Sequence, residues 1–596
     1  MKLFVRQRLI AVCTAASLLT GLLAACSNGA NDGGAPTAAS STPAVSETVS
    51  ETGSETSNTA DGGKIRVKFD PPVTISTAVI HTPVTNEFKQ GESLENNVHL
   101  RWMKDEMGIN VKFDFIVASE DDFNTKIRLM MVDNSKLPDV MAPTAELASN
   151  LIQAGKLQPL DEAIEKYASP NLKKLFAQYP DVFSAVKQGS KTYGLPEFYM
   201  GDEGTVMWVR EDWLRKLKLK APATIDELEA VLKAFTEDDP DDNGKDDTIG
   251  LSVALKNSPF EWMASADGLV GAFSAAMADT ANMKQFWRRD ADGNLANGVI
   301  DPSMKNFLAK LSDWKSKNYI DPEAGLKAPE QTVDLLASGK AGVVFGPSWM
   351  GGWPLQDLEK NVPGASFRPY PLPSGPDGLV GRAEKQIANN YVVFSKDFEQ
   401  MEAYFAYLNT LYAKSFGEED PYWLPKFKDG WYEGYDYVKW DGKIVRRNFK
   451  EAGVPQEQWP IPDGLGEGIN LPMSLPGRGI PYQMDASYKK YSDNPTAEPE
   501  NEFDVRASGM NKAQLDASVI RMNQNAKAIR NEFFAGATKT MLSKGELLTK
   551  LATDSYLKII YGEEPVEYFD EFVSKWKANG GDAVTKEVNE WFKASQ

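Results

Sequence analysis

The chain has 596 residues, a formal net charge of −19, and 42% hydrophobic and 25% charged residues. That length exceeds what one hydrophobic core serves and predicts two large lobes, while the acidic balance excludes nucleic acid, whose phosphates demand basic surface. Cysteine occurs only at Cys13 and Cys26 and histidine only at His81 and His99, so the body lacks a disulfide staple and has little material for a zinc site or a histidine-dependent triad.

The N-terminus, MKLFVRQRLIAVCTAASLLTGLLAACSNGA, sets Lys2, Arg6 and Arg8 before a mostly apolar run from Leu9 to Ala25. This is the layout of an export signal, and Thr14, Ser17, Thr20 and Gly21 interrupt the run too often for a permanent membrane span. The sequence Leu23-Ala24-Ala25-Cys26 resembles a bacterial lipobox, in which the thiol of Cys26 accepts diacylglycerol; a plain secretory signal is the alternative. Cleavage before Cys26 removes three positive charges and no acid, taking the net charge from −19 to −22. Residues 27–63 are mostly Ser, Thr, Gly, Ala, Asn and Pro, with no aromatic residue, Lys or Arg. Such a segment cannot bury enough apolar surface to order itself, and as a flexible tether it spans roughly 35 Å. The expected plan is an anchor, a leash and a body from about Lys64.

The body opens with alternating helix and strand signals. LENNVHLRWMKDEMG reads as a helix closed by Gly108, and INVKFDFIV as a strand with Val111, Phe113 and Phe115 on one face. DDFNTKIRLMMVDN predicts a second helix, LPDVMAP a short buried strand, and ELASNLIQAG a helix closed by Gly155. This alternation predicts a mixed, mostly parallel sheet with helices on its faces. KTYGLPEFYM reads as a loop because of Gly194 and Pro196, and the first passage between lobes is expected near Pro196 to Gly204. GTVMWVREDWLRKL predicts a strand running into a helix, with Trp208 and Trp213 as core residues. TIDELEAVLKAF is an amphipathic helix with a Thr224–Glu227 capping box and Ile225, Leu228, Val231, Leu232 and Phe235 on one face.

The next stretch, DDPDDNGKDDTIG, holds six aspartates between Asp238 and Gly250. With Asp239 as the first position, Asp241, Asn243, Gly244, Lys245 and Asp247 fall at positions 3, 5, 6, 7 and 9. An EF-hand loop wants oxygen side chains at 1, 3 and 5, glycine at 6 and a backbone carbonyl at 7. Position 12 is Gly250, so the bidentate glutamate is missing; a solvated acidic turn is the alternative to a structural calcium site. RDADGNLANG (Asp290, Asp292, Asn294) lacks glycine at position 6 and reads as a hairpin turn.

LLASGKAGVVFGPSW predicts helix, turn and strand, KQIANNYVVFS a strand, and FEQMEAYFAYLNTLY a helix. The chain is then loop-heavy through about residue 505, and AQLDASVIRMNQNAKAIRNEFF and the final segments read as helices.

Three stretches carry a family resemblance: MWVREDWLRKLKLKAPATIDELEAVLKAFTEDDPDDNGKDDTIGL, SGKAGVVFGPSWMGGWP and YLKIIYGEEPVEYFDEFVSKWKANGGDAVTKEVNEW. Together, in collinear order, they resemble the extracellular solute-binding lipoproteins of family 1, in particular the large Gram-positive subgroup and alginate-type oligosaccharide-binding proteins. The resemblance implies a type II periplasmic-binding-protein-like α/β fold, with two hinged lobes around a cleft. It also implies an oligosaccharide ligand, docking on the permease subunits of an ABC importer, and a monomer held by its lipid at the extracellular face of the cell membrane. No catalytic residue is implied. The expected boundaries are a signal peptide (1–25), lipidated Cys26 and linker (26–63), first lobe (64–198), second lobe (199–379), a return to the first lobe (380–412) and a C-terminal extension completing the second lobe and hinge (413–596). In alginate-type binders the similar acidic loop holds calcium with a Glu after the last Asp; Thr248 stands there in this chain, and the implied ligand set is Asp239, Asp241, Asn243, Lys245, Asp247 and Thr248.

A sugar site combines an apolar wall with a few convergent polar groups. Trp262, after the loop KNSPFE, and Trp349 and Trp353, among glycines beyond a strand, are candidates for the cleft wall. Tyr199, Tyr482, Glu92 and Asn97 are further candidates, the last two because loops like theirs face the cleft in the family, and Arg382 is a candidate partner for a uronate carboxylate. Two other classes stay open: a receptor for a peptide or another solute on the same fold, and a surface glycan-degrading enzyme, although no spacing singles out a carboxylate pair.

Overall fold

The computed structural model describes residues 67–81, 88–198, 204–275, 286–380, 388–415, 429–435, 437–446, 449–450, 452–459, 481–500, 502–529, 531–533 and 537–595. Cys26, the linker, Tyr199 and Arg382 lie outside them, as does the side chain of Tyr482.

The first sheet begins with β1 (Val73–Ile80), which crosses through α1 (Val98–Met107) to the parallel β2 (Ile109–Val117). Asn97 starts α1 by accepting the amides of His99 and Leu100. Gly108 ends it at φ 65°, where a Cβ would stand 2.1 Å from the Phe69 carbonyl oxygen, so no other residue fits. α2 (Glu120–Val132) leads to the two-residue β3 (Val140–Met141), parallel to β1, and α3 (Ala145–Gln153) follows. β4 (Gly194–Phe198) completes this pass as a strand, where the sequence predicted a loop. Pro196 is tolerated because β4 is the edge strand, with no further ladder for the missing N–H to serve.

The chain then lays down a second sheet: β5 (Thr205–Arg210), α4 (Ile225–Glu237), β6 (Ile249–Ser252), β7 (Ala341–Pro347) and β8 (Phe367–Tyr370), in the order β8-β5-β7-β6. β6 and β7 run parallel, whereas β5 is antiparallel to both β7 and β8. β9 (Ala388–Phe394) returns to the first sheet, inserting antiparallel between β3 and β4.

β5 is buried at every position because both its faces are covered. Met207 and Val209 join a core with Phe235 and Val343, while Val206 and Trp208 join Val344 and Met350 on the opposite side. Helices α5 (Met401–Ser415) and α6 (Pro481–Asp493) add Tyr404, Tyr407 and Tyr491 to the core of the first sheet. α6 falls in the stretch read as loop-heavy. α7 (Lys512–Asn523) sends Leu515 into the first core and Ala517 into the cluster beneath Trp208, so one helix touches both lobes. It stops at Asn523, short of the predicted extent, and a 3-10 turn at Asn525–Lys527 follows. α8 (Lys539–Tyr561), α9 (Tyr568–Trp576) and α10 (Asp582–Ser595) add Tyr556, Phe572 and Val588 to the second core. The predicted hairpin forms between Trp287–Arg289 and Leu295–Asn297. Among the described residues, no helix is long and apolar enough to cross a membrane.

Candidate functional site

Because β6 and β7 are parallel, their carboxyl ends emerge at the same edge of the second sheet, the edge at which open α/β folds bind ligands. The loop after β6 carries Trp262, and the turn after β7 carries Trp349 and Trp353. The three indoles stack: Trp262 and Trp349 have centroids 5.6 Å apart at 28°, and Trp349 and Trp353 6.3 Å apart at 19°. A sugar sandwiched between two rings needs about 7–8 Å, twice the carbon contact distance of ~3.5–4.0 Å. The stack therefore admits nothing between its members. Its outer rings are open instead, with Trp262 43% and Trp353 44% exposed. A partly exposed indole face of this kind suits the C–H face of a pyranose or furanose ring.

Local packing holds the stack. The Ser265 amide donates to the Phe345 carbonyl at 3.3 Å, and Ser265 Oγ accepts the Glu261 and Asp267 amides, both at 3.1 Å, fixing the Trp262 loop against β7. The turn bearing Trp349 and Trp353 is clamped by the start of α7: Asn511 Nδ2 donates to the Gly351 carbonyl at 2.7 Å and Gln514 Nε2 to the Trp349 carbonyl at 3.4 Å. A Cβ on Gly351 would come within 2.8 Å of the Trp208 ring and 3.0 Å of the Gln514 amide, so glycine permits the approach. Glu261, next to Trp262, is half-buried; burial raises its pKa, and the nearby Glu330 adds to this against a hydrogen bond with Asn257. Sequence reasoning passed over Glu261, Asn511 and Gln514, the last two because nothing local signals contact with a turn some 160 residues earlier.

The other candidates separate. Asn97 is fully buried; its Oδ1 caps α1 and its Nδ2 donates to the Ser93 and Leu94 carbonyls, so it is a helix cap rather than part of a ligand wall. Glu92 forms an ion pair with Arg101 in a separate pocket of the first lobe.

The acidic loop folds around its own oxygens. Asp239 accepts the Asn243 amide at 3.2 Å and the Gly244 amide at 2.9 Å, and the Gly244 bond is the main cause of its lowered pKa. Asn243 Nδ2 donates to Asp241 at 2.8 Å and Asp247 at 2.9 Å, and Asn243 Oδ1 accepts the Lys245 amide at 2.8 Å. Lys340 Nζ lies 3.1 Å from Asp241 and 2.7 Å from Asp247, and this ammonium is the leading cause of the lowered Asp247 pKa. Asp241 Oδ1 is nevertheless buried with no hydrogen-bond partner. Four oxygen-bearing side chains and an orphaned carboxylate oxygen fit the donor set of a hard cation. Thr248 departs from the expected set. Its hydroxyl is buried and donates to the Phe235 carbonyl at 2.8 Å, tying the end of α4 to the approach to β6. No group of three or more His, Cys, Asp or Glu side chains converges as a metal cluster among the described residues.

The chain is similar to proteins of one kind. The polygalacturonan/rhamnogalacturonan-binding protein YtcQ of Bacillus subtilis (strain 168) is 26% identical over 453 residues, covering 75% of this chain and 78% of the relative. The crystal structure of alginate-binding protein AlgQ2 without calcium ion has TM-score 0.56 and 17% identity, covering 88% of this chain and 99% of that one. The Streptococcus pneumoniae ABC-transporter substrate-binding protein FusA, as an EF-hand mutant in complex with fructo-nystose, has TM-score 0.56 and 19% identity, covering 88% and 100%. These likenesses establish the two-lobed α/β solute-binding fold. Residues 85–418, more than half of the chain, match the family described as bacterial extracellular solute-binding protein, and the chain belongs to that family.

Proposed function

We propose that this chain is a lipid-anchored receptor, held by Cys26 at the outer face of the cell membrane, that captures an oligosaccharide between its lobes and delivers it to an ABC importer. The observation that carries the reading is the Trp262–Trp349–Trp353 stack at the carboxyl edge of β6 and β7. Apolar ring faces anchor the sugar, the clamp of Asn511 and Gln514 on the turn keeps those faces oriented, and closure of the lobes excludes water. The ligand leaves as it arrived, since the site's work is binding and no bond is broken. YtcQ and FusA, named for glycan binding and for substrate binding to an ABC transporter, support the assignment.

Calorimetry of the chain against neutral and acidic oligosaccharides, with chromatography of the recovered sugar, tests this. Saturable binding and intact recovery are expected; absence of heat across the panel, or accumulation of shorter products, refutes it. Labelled palmitate entering the wild-type chain but not Cys26→Ser in a bacterial host is the expected outcome for the anchor.

We also propose that the acidic loop holds a structural calcium ion through Asp239, Asp241, Asn243, the Lys245 carbonyl and Asp247. The ion supplies positive charge that offsets the repulsion among these carboxylates and fixes the turn between α4 and β6. The buried, unpartnered Asp241 Oδ1 supports this, as do the calcium and EF-hand named for AlgQ2 and FusA.

A further inference from the structure

Lys340 stands in the turn that leads into β7, and the second sheet fixes its backbone. Its carbonyl accepts the Ile249 amide at 2.8 Å, its amide donates to the Leu335 carbonyl at 3.2 Å, and the next residue, Ala341, pairs with Ile249 across β7 and β6. Arg210 Nη1 holds the preceding Gly339 carbonyl at 2.8 Å. The lysine is therefore carried to the edge of the acidic loop by sheet pairing, although Asp241 lies 99 positions away in the chain.

Its ammonium reaches two of the three carboxylates in the proposed calcium site. Nζ lies 3.1 Å from Asp241 Oδ2 and 2.7 Å from Asp247 Oδ2. Asn243 Nδ2 bridges the same two carboxylates, at 2.8 and 2.9 Å, so they are already drawn together by donors. The other nearby cation, Lys216, is engaged outside the ligand set, with Asp242 at 2.7 Å and the Pro240 carbonyl at 2.8 Å. Asp239, Asp241 and Asp247 bring three negative charges to the site, and Lys340 offsets one of them.

Calcium is held at about 2.3–2.6 Å by its oxygen ligands. An ion and an ammonium sharing the Asp241 and Asp247 carboxylates are then roughly 4–6 Å apart. At that separation, even in the dielectric of water, their repulsion weakens binding of a divalent ion by about ten- to thirtyfold. Withdrawal of the ammonium avoids the repulsion but gives up its two ion pairs. Either route lowers the affinity for calcium.

We infer that Lys340 is a tethered counter-ion that competes with calcium for Asp241 and Asp247, keeping the loop folded without the ion and holding the affinity of the site down. The inference rests on the proposed calcium site and assigns its regulation to a residue outside the loop. The ion is then an interchangeable stabiliser of the turn between α4 and β6, not a condition of its folding.

The test is calorimetric titration of the full chain and its Lys340→Met and Lys340→Gln variants with calcium chloride, with thermal melting of each in calcium and in chelator. Both variants are expected to bind calcium about ten- to thirtyfold more tightly than the wild type, to melt lower than it in chelator, and to gain more from calcium. Binding by the variants alone also supports the inference. Lys340→Gln, which keeps a polar end on the side chain, decides the matter if Lys340→Met does not fold. A lysine with a structural role only would lower the melt with and without calcium and leave the dissociation constant in place. Calcium affinity within threefold of wild type in a folded variant therefore overturns the inference and leaves the calcium site standing. Absence of calcium binding by the wild type and both variants overturns both.

Discussion

Replacing Trp262 by alanine removes one outer ring of the tryptophan stack and leaves the second lobe's core intact. Trp262 is 43% exposed, which on a side chain of about 250 Å² leaves roughly 110 Å² for a ligand to cover. At ~25 cal/mol per Å², covering all of it contributes about 2.7 kcal/mol and covering half about 1.3 kcal/mol. The dissociation constant of Trp262→Ala is therefore expected to rise by about ten- to a hundredfold. Its melting temperature should fall by roughly 1–6 °C, because the lost stacking contact with Trp349 costs about 0.5–1.5 kcal/mol. Calorimetry with the tightest glycan of the panel, paired with thermal melting, reads both quantities. A change in affinity below about threefold in a chain that melts within that range would show that the ligand does not use this ring, and would refute the stacking argument.

Calcium should raise the melting temperature. At a hundredfold excess over its dissociation constant the ion contributes about 2.7 kcal/mol, or roughly 5–10 °C for a lobe of this size, and a combined Asp241→Asn and Asp247→Asn variant should show no rise; equal melting with calcium and with chelator would refute the site. Gly351→Ala forces a Cβ to within 2.8 Å of the Trp208 ring. Its expected cost is about 1–3 kcal/mol, or a fall of roughly 2–10 °C, and an unchanged melt would contradict the close packing of this turn against Trp208 and α7. Glu229 has its pKa lowered from 4.5 to about 2, first by the hydrogen bond from Lys317 and then, against burial, by Lys310. A carboxylate depressed on folding contributes stability above its unfolded value, and that stability is lost as pH falls through the folded one. Glu229→Gln should thus cost about 0.5–1 kcal/mol at neutral pH, screening included, and nothing near pH 2; a cost independent of pH, read from denaturant melts, would count against the pairing.

Much of this was legible because local chemistry and tertiary context agreed. Gly108 and Gly155 end helices where the sequence places them, and the Thr224 side chain accepts the Glu227 amide at 3.3 Å as expected of a cap. Trp262 could be singled out because it follows the loop KNSPFE, and Trp349 and Trp353 because they lie among glycines beyond a strand signal. That they form one stack could not be read, since it depends on β6 and β7 pairing in parallel. Where local signals mislead, topology is the reason. Gly194 and Pro196 read as loop, yet an edge strand accepts both. Thr248 occupies a ligand-like place in the acidic loop, but its hydroxyl is taken by Phe235. The surroundings of Glu92 were legible only in part: the residue was a candidate because loops like its own face the cleft in the family, but Lys89 and Tyr435, which meet beside it, stand 346 positions apart.

A structure of the chain bound to whichever oligosaccharide titrates most tightly addresses the central claim most directly. It should show an unbroken glycan between the lobes, one ring lying flat on the outer face of Trp262 or Trp353. A glycan seated away from all three tryptophans, or found cleaved, would contradict the account.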